Sequence, residues 1–308
     1  MPDTQEKRFL TYEQQIELLK SKNLNIADEE SAIESLKQYS YYSLISGYKD
    51  IFKTEKNGKY KDNTFFEHID ALYTFDDYLR NIFLHEIIRI EKHIKSLYSY
   101  SFCEIYGDKQ SNYLNATNYN YSVYQKEIND FLSIAQYTLD KPEKYPYVQY
   151  NKKKYGTVPL WVIIQTFTFG NLSKIYMFSK QELQSKIAKE FECVYGHHLS
   201  AMLNVLSKFR NVCAHGERFY SYKTRKSILD LPIHHNIDNY NPTSKNDLFN
   251  VVICFKYLST KDDFSSFMTT LSEMIKIMTN TLGNEYSCMV LEKMGFPENW
   301  QDLKTLEK

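Results

Sequence analysis

The chain reads as an all-α protein, and three observations predict it. Glycine and proline are scarce, at 9 and 7 of 308 residues, so few points interrupt a helix. The strict apolar–polar alternation of a half-buried strand is rare. Apolar residues instead recur at steps of three and four over long stretches, the spacing of one helix face. Hydrophobic residues make up 43% of the chain, enough to bury a sizeable core.

The elements follow in order. Residues 11–22 predict a short amphipathic helix with Ile16, Leu18 and Leu19 inward. Residues 28–38 predict a second, opening on Asp28, Glu29 and Glu30, whose charges suit a helix N-terminus. YYSLISGYKDIF (41–52) should break at Gly47, and EKNGKYK (55–61) reads as a polar turn and a boundary. Thr64 and Glu67 have capping-box spacing ahead of the clearest helix. There Ile69, Leu72, Leu79, Phe83, Ile87, Ile90 and Ile94 repeat at helical steps, and the pattern runs to about Ile105 before Gly107. Such a helix spans about 60 Å at roughly 1.5 Å per residue and would be the spine of a bundle. Residues 108–122 read as loop, 123–139 as helix, and 140–159, with three prolines and a lysine triplet, as a long loop. Residues 161–178 read as two apolar helical pieces meeting at Gly170. Ser179 and Glu182 are spaced to cap a helix reaching about Glu192, and residues 198–215 form the next, ended by Gly216. A polar stretch, 220–246, precedes helices at about 247–258, 261–281 and 285–294. The expected parts are an N-terminal helical segment (1–62), a helical core (63–225) and a C-terminal helical extension packing on that core (226–308).

Charge narrows the function classes. Lysine plus arginine and aspartate plus glutamate both total 38, so any nucleic-acid site is a local patch on a balanced body. This counts against a general DNA-binding protein. The five cysteines are far apart, with no CxxC pair, and read as free thiols of a reducing cytoplasm. The start MPDTQEKRFL holds no apolar signal region, and no apolar run approaches the roughly 18 residues of a membrane span. A cytoplasmic protein with no membrane association is expected. There are 27 tyrosines and 19 phenylalanines. A tyrosine can stack on a base, although any single ring is more often packing area with a polar tip.

The stretch KFRNVCAHGERFYSYKTRK (208–226) carries the candidate chemistry. Arg210 offers a permanently charged planar fork suited to phosphate oxygens, and Asn211 beside it can orient a partner. His215 is the residue type that exchanges protons near neutral pH. RNA cleavage without a metal needs a base for the 2′-hydroxyl, an acid for the leaving 5′-oxygen and a cation for the charged phosphorane. No metal or cofactor is expected. On a straight helix five residues turn roughly 500°, so Arg210 and His215 would point about 140° apart. Gly216 suits a helix C-terminal position, placing His215 in the last turn, where the helix dipole favours an imidazolium. Acid and base roles usually need two groups, and each chain offers one such histidine. A symmetric homodimer with a composite site would supply the second. By itself, Arg-x4-His recurs by chance, and a lone histidine at a helix end is more often a cap or a surface residue.

The longer context resembles the Abi-like abortive-infection proteins of the AbiD/AbiF group. LSKFRNVCAHGERFY (206–220) resembles their RN-x-x-AH-x-x-R pattern. LLKSKNLNI with LKQYSYYSLISGYKDIF, FFEHIDALYTFDDYLRNIFLHEIIRIEKHIKSLYSY, and VPLWVIIQTFTFGNLSKIY resemble further blocks in the same order. The likeness covers roughly residues 15–225. One departure is YYSLISGY, where LSGY ordinarily follows directly after YY-x. The resemblance implies a HEPN-like helical bundle with added N- and C-terminal helices, acting as a metal-independent endoribonuclease when dimerised. It implies an antiphage toxin that cleaves single-stranded RNA and is restrained by a partner such as a small antitoxin RNA. Arg210, Asn211 and His215 occupy its motif positions, and Arg218 matches its trailing arginine. A non-catalytic RNA-binding module of the same fold is the rival, and a purely structural Arg210–His215 pair is the third reading.

Other residues are weighed beside these. Glu91, in the RIEKHIK run with Arg89 and Lys92, could orient Arg210 or His215, as a carboxylate holds a catalytic imidazole; a surface charge run is the alternative. His85 and His93 flank Arg89, but eight residues separate them by about 12 Å along a helix, too far for a shared metal. The clusters Lys152, Lys153, Lys154 and Lys223, Arg225, Lys226 are candidate RNA phosphate contacts. Flanking tyrosines (150, 155, 220, 222) are able to stack bases. The pairs His197–His198 and His234–His235 are expected at the surface. Gly170 would allow close helix approach.

Overall fold

A computed structural model describes residues 8–54, 58–238, 240 and 242–308, and among these no strand is present beyond three isolated bridges. The helices are α1 (Tyr12–Ser21), α2 (Glu29–Tyr39), α3 (Phe66–Tyr106), α4 (Gln110–Tyr113), α5 (Tyr121–Asp140), α6 (Pro146–Tyr155), α7 (Leu160–Ile163), α8 (Phe169–Phe178), α9 (Gln181–Ala188), α10 (Gly196–His215), α11 (Pro232–Asn236), α12 (Leu248–Leu258) and α13 (Lys261–Met294). The fold is all-α, as the periodicity predicts. No described helix is long and apolar enough to cross a membrane. All five cysteines are free.

Contacts divide the chain into two compact units. The first comprises residues 1–80, 218–221 and 269–294; the second comprises 81–217, 222–268 and 295–308. Both α3 and α13 therefore contribute to each unit.

In the first unit, α1 opens on a complete capping box between Thr11 and Gln14 and buries Ile16 and Leu19, while Leu18 is only half-buried. Asp28 caps α2 by accepting from the Ser31 amide. The break expected at Gly47 falls one residue later: Gly47 follows a π-helical turn and keeps helical angles (φ −73°, ψ −34°), and the backbone departs at Tyr48 (φ −123°, ψ −4°), ahead of a 3-10 turn. Of the expected turn at 55–61, residues 55–57 lie outside the described set; its flanks pair Lys53 with Tyr60. The box expected from Thr64 and Glu67 does not form. Thr64 is bonded to the Tyr286 hydroxyl at 2.8 Å, and Glu67 accepts from the Ala27 and Asp28 amides at 3.0 and 3.2 Å. A carboxylate in the first turn of α3 thus serves the start of α2, where two amides are otherwise unmet.

In the second unit, α3 buries Phe83, Ile87, Ile90 and Ile94, the predicted stripe, and stops before Gly107 at φ 86°. The predicted loops are more ordered than their composition suggests. Residues 108–122 contain α4 and a 3-10 turn (Ala116–Asn118). Residues 140–159 contain a 3-10 turn at Pro142–Lys144 and all of α6, which ends on Gly156 at φ 73°. The break expected at Gly170 falls earlier: Thr168 caps α8 through the Asn171 amide, and Gly170 lies inside the helix. Ser179 does not cap α9; its hydroxyl donates to the Ile175 carbonyl and meets Tyr98 at 2.8 Å. α12 is buried almost throughout. α13 is two helical pieces joined at Gly283, whose φ of 77° breaks the helix where the sequence suggested.

Candidate functional site

α10 packs Leu199, Met202, Leu203, Leu206, Phe209 and Val212 into the core of the second unit. Its opposite face stays open. Asn204 is half-buried, and Lys208, Asn211 and His215 are exposed, at helical steps of four, three and four. His215 is the last helical residue. Gly216 follows at φ 67° and ψ 23°; its amide reaches the Cys213 carbonyl at 3.3 Å, and the Glu217 amide reaches Val212 at 3.2 Å. These bonds close the helix with a left-handed glycine, the termination read from the sequence.

α10 carries no irregular residue between Arg210 and His215, so the pair stays about 140° apart around the axis. Arg210 is half-buried, and its Nε is enclosed without a hydrogen-bond partner. An enclosed donor left unmet costs about 1–3 kcal/mol, a cost the fold carries at Arg210. Among the described residues no side chain bonds or ion-pairs with Arg210, Asn211 or His215. The structure thus places all three on the last two turns of one helix without joining them to each other.

The next residues belong to the first unit and are held tightly there. Arg218 donates through Nη1 to the Gly47 carbonyl at 2.7 Å and pairs with Asp50 at 3.2 Å. Its guanidinium braces the 47–50 turn. The amides of Phe219 and Tyr220 donate to Asp76 at 2.8 and 2.6 Å. Asp76 also accepts from the Tyr48 hydroxyl at 2.6 Å and Arg80 Nη1 at 2.9 Å. Burial pushes the Asp76 carboxyl above the usual carboxylate range; the Tyr48 hydroxyl, the two amides and the Arg80 charge pull against that. Every partner is a donor, so the arrangement serves a carboxylate rather than an acid. Tyr220 is buried and stacks on Tyr48, so its ring is not free for a base. Sequence reasoning assigned Asp76 and Arg80 no role, although their signal was visible as an acid and a base four apart in FDDYLR.

The remaining candidates lie elsewhere. Glu91 is buried and bonded to Lys95 at 2.8 Å, making no bond to Arg210 or His215. Arg89 pairs with Asp263 and more distantly with Glu86, and Glu86 accepts from Ser259. Lys152, Lys153 and Lys154 are exposed in the last turn of α6, where cations complement the helix dipole. Lys152 donates to the Leu139 carbonyl, and Lys154 lies over the rings of Tyr150 and Tyr155. Lys223, Arg225 and Lys226 are exposed around a buried Thr224, which is tied to Asn246 by backbone and side-chain bonds. Tyr222 packs edge-on against Phe209. His234, expected at the surface, is buried instead. Its Nδ1 accepts from the Leu231 amide at 3.0 Å, and its Nε2 meets Asn250 Oδ1 at 3.1 Å. Burial holds that imidazole below its ordinary pKa.

Known proteins offer one point of comparison beyond this geometry. No curated protein and no solved structure matches the chain. A family model described as Abi-like protein matches residues 34–221, well over half of the sequence and inclusive of α10 and of the Asp76 clamp, and the chain belongs to that family.

Proposed function

We propose that this Abi-like protein acts in abortive infection as a metal-independent endoribonuclease of HEPN type, cutting single-stranded RNA to leave 2′,3′-cyclic phosphate and 5′-hydroxyl ends. The observation that carries the reading is the state of Arg210, Asn211 and His215. They crowd the end of one well-packed helix, and among the described residues none forms a side-chain hydrogen bond or ion pair. A structural role would show them bonded. In this mechanism Arg210 clamps the scissile phosphate and stabilises the phosphorane, Asn211 orients it, and His215 exchanges the proton. Two copies of the chain supply the acid and the base. An unchecked ribonuclease harms its host, so a partner such as a small RNA restrains it.

The test is His215→Ala in the full chain. Toxicity and RNA cleavage should both vanish while the fold persists; cleavage that survives removes His215 from the reaction. The rival reading, a non-catalytic RNA-binding module, is favoured by one observation: a regular helix keeps Arg210 and His215 apart. It predicts tight RNA binding without cyclic-phosphate ends.

A further inference from the structure

The open face of α10 does not stop at the motif. Toward the start of the helix it runs into a groove of about 690 Å³ between α5, α8 and α10, within the second unit. A second depression of about 920 Å³ shares Tyr124, Met177, Gln184 and His197 with it, so the two form one channel. His197, Ala201 and Asn204 of the channel continue at steps of four and three into Lys208, Asn211 and His215. From Asn204 to His215 the helix rises only about 16 Å.

Three features of the lining point to one ligand chemistry. Lys126, Lys174 and Lys226 come from three separate segments, are exposed, and form no ion pair among the described residues. Glu127 and Asp130 also line the groove, both from α5, so the lysine excess is a single charge. Phosphates would be held by point contacts, not by a broad field. Aromatic surface is the second feature. α5 departs from helical geometry at Tyr124, on the channel wall, and Tyr195 stacks on His197 at 5.9 Å and 10° while remaining 67% exposed. Such rings accept unpaired bases, which a duplex does not present. Neutral polar groups are the third. Ser173 is only 4% exposed, and neither it nor the side chains of Ser200 and Asn204 hydrogen-bonds within the chain among the described residues. Hydroxyl and amide groups left open beside a phosphate track suit a ribose 2′-hydroxyl.

We infer that this channel is a binding site for single-stranded RNA, leading the strand along α10 toward Asn211 and His215. The inference rests on the ribonuclease reading for what happens at the end of the path, but not for the binding itself. The experiment uses the full chain carrying His215→Ala, with a fluorescent oligouridylate titrated by anisotropy at several salt concentrations. Combining Lys126→Ala, Lys174→Ala and Lys226→Ala should weaken binding at least tenfold. It should also make the salt dependence shallower by about 2, at roughly 0.7 per lost single-strand phosphate contact. Tyr124→Ala should cost about tenfold with little change in salt dependence. A charge-matched control, Lys92→Ala with Lys276→Ala and Lys293→Ala, should bind as the parent does. An oligodeoxythymidylate should bind more weakly.

Parent-like affinity in the groove triple variant, or an equal loss in the control, overturns the channel. Equal binding of the DNA probe overturns the ribose assignment. Cleavage by the otherwise wild-type chain reports separately. If His215→Ala abolishes cleavage while groove variants bind normally, the channel fails and the enzyme reading stands. If groove variants lose RNA while His215→Ala still cuts, the enzyme reading fails and the channel stands.

Discussion

Asp76→Asn tests whether the segment after the motif is held by one buried carboxylate. The substitution keeps shape and volume but replaces an acceptor oxygen with an amide nitrogen that donates. Four donors converge on Asp76, and the side chain is fully buried, so no water replaces what is lost. Arg80, itself 5% exposed, loses its charged partner. Breaking a buried ion pair from one side costs about 3–5 kcal/mol, and stranding one backbone amide adds about 1–3 kcal/mol. Asp77 still holds Arg80 Nη2 at 2.8 Å, and its exposure admits water, which moves the total to the low end, about 4 kcal/mol. Urea unfolding should show a lower midpoint, and hydrogen exchange should show lost protection at the Phe219 and Tyr220 amides. Adding Arg80→Leu should recover part of the loss, because the unpaired charge leaves with it. A variant within about 0.5 kcal/mol of the parent, with both amides still protected, refutes the clamp.

Three further outcomes follow from the same structure. Gly216→Ala forces a β-carbon into a left-handed conformation at φ 67°, so the last turn of α10 should fray at a cost of about 1–2 kcal/mol, read as faster exchange at the Gly216 and Glu217 amides. Glu91→Gln leaves the buried Lys95 ammonium without its counter-ion and should lower stability by about 3 kcal/mol in urea, whereas Glu91→Leu with Lys95→Met should be close to neutral. His234 has a folded-state pKa below its ordinary 6.5, so the unfolded chain binds the extra proton. Its contribution is complete above that value and is lost as pH falls below it, by at most about 1.4 kcal/mol per pH unit. Comparing urea midpoints at pH 7.5 and 5.5 should show a smaller drop for His234→Gln than for the parent, since His68 and His198 are displaced in the same direction and remain.

What could be read from the sequence was whatever lies close in sequence. α3 declared itself because each buried side chain recurs within one turn of the last, and His215–Gly216 declared the end of α10 because the stop signal is a single residue. The α6 segment reads as loop in the sequence because Pro142 and Pro146 look like breakers. Each occupies the first turn of its helix, where the missing amide hydrogen has no partner to lose. The lysine triplet that suggested a loop stands where a helix C-terminus favours cations. Asp76 was invisible as a clamp because its amide partners lie more than 140 positions away. Of the groove lysines, Lys226 is legible in its local basic cluster, but Lys126 and Lys174 are not, because only packing brings them to the same groove. Local chemistry was legible, and convergence was not.

That distinction bears on the number of chains the proposed reaction needs. α10 is regular through the motif, so its geometry does not bring Arg210 and His215 of one copy to a common point. Either the arginine serves a different step from the histidine beside it, or the groups that meet come from two copies. Mixing distinguishes the two. If each copy cuts alone, blending wild type with His215→Ala lowers activity in proportion to the wild-type fraction. If both histidines of a twofold pair are required, only wild-type pairs act, and activity follows the square of that fraction. An equal mixture, unfolded and refolded together so that copies exchange, should then keep about a quarter of the activity rather than about half. Proportional loss after verified exchange would mean that one histidine suffices, and the second proton-transfer group would have to be sought within the same chain.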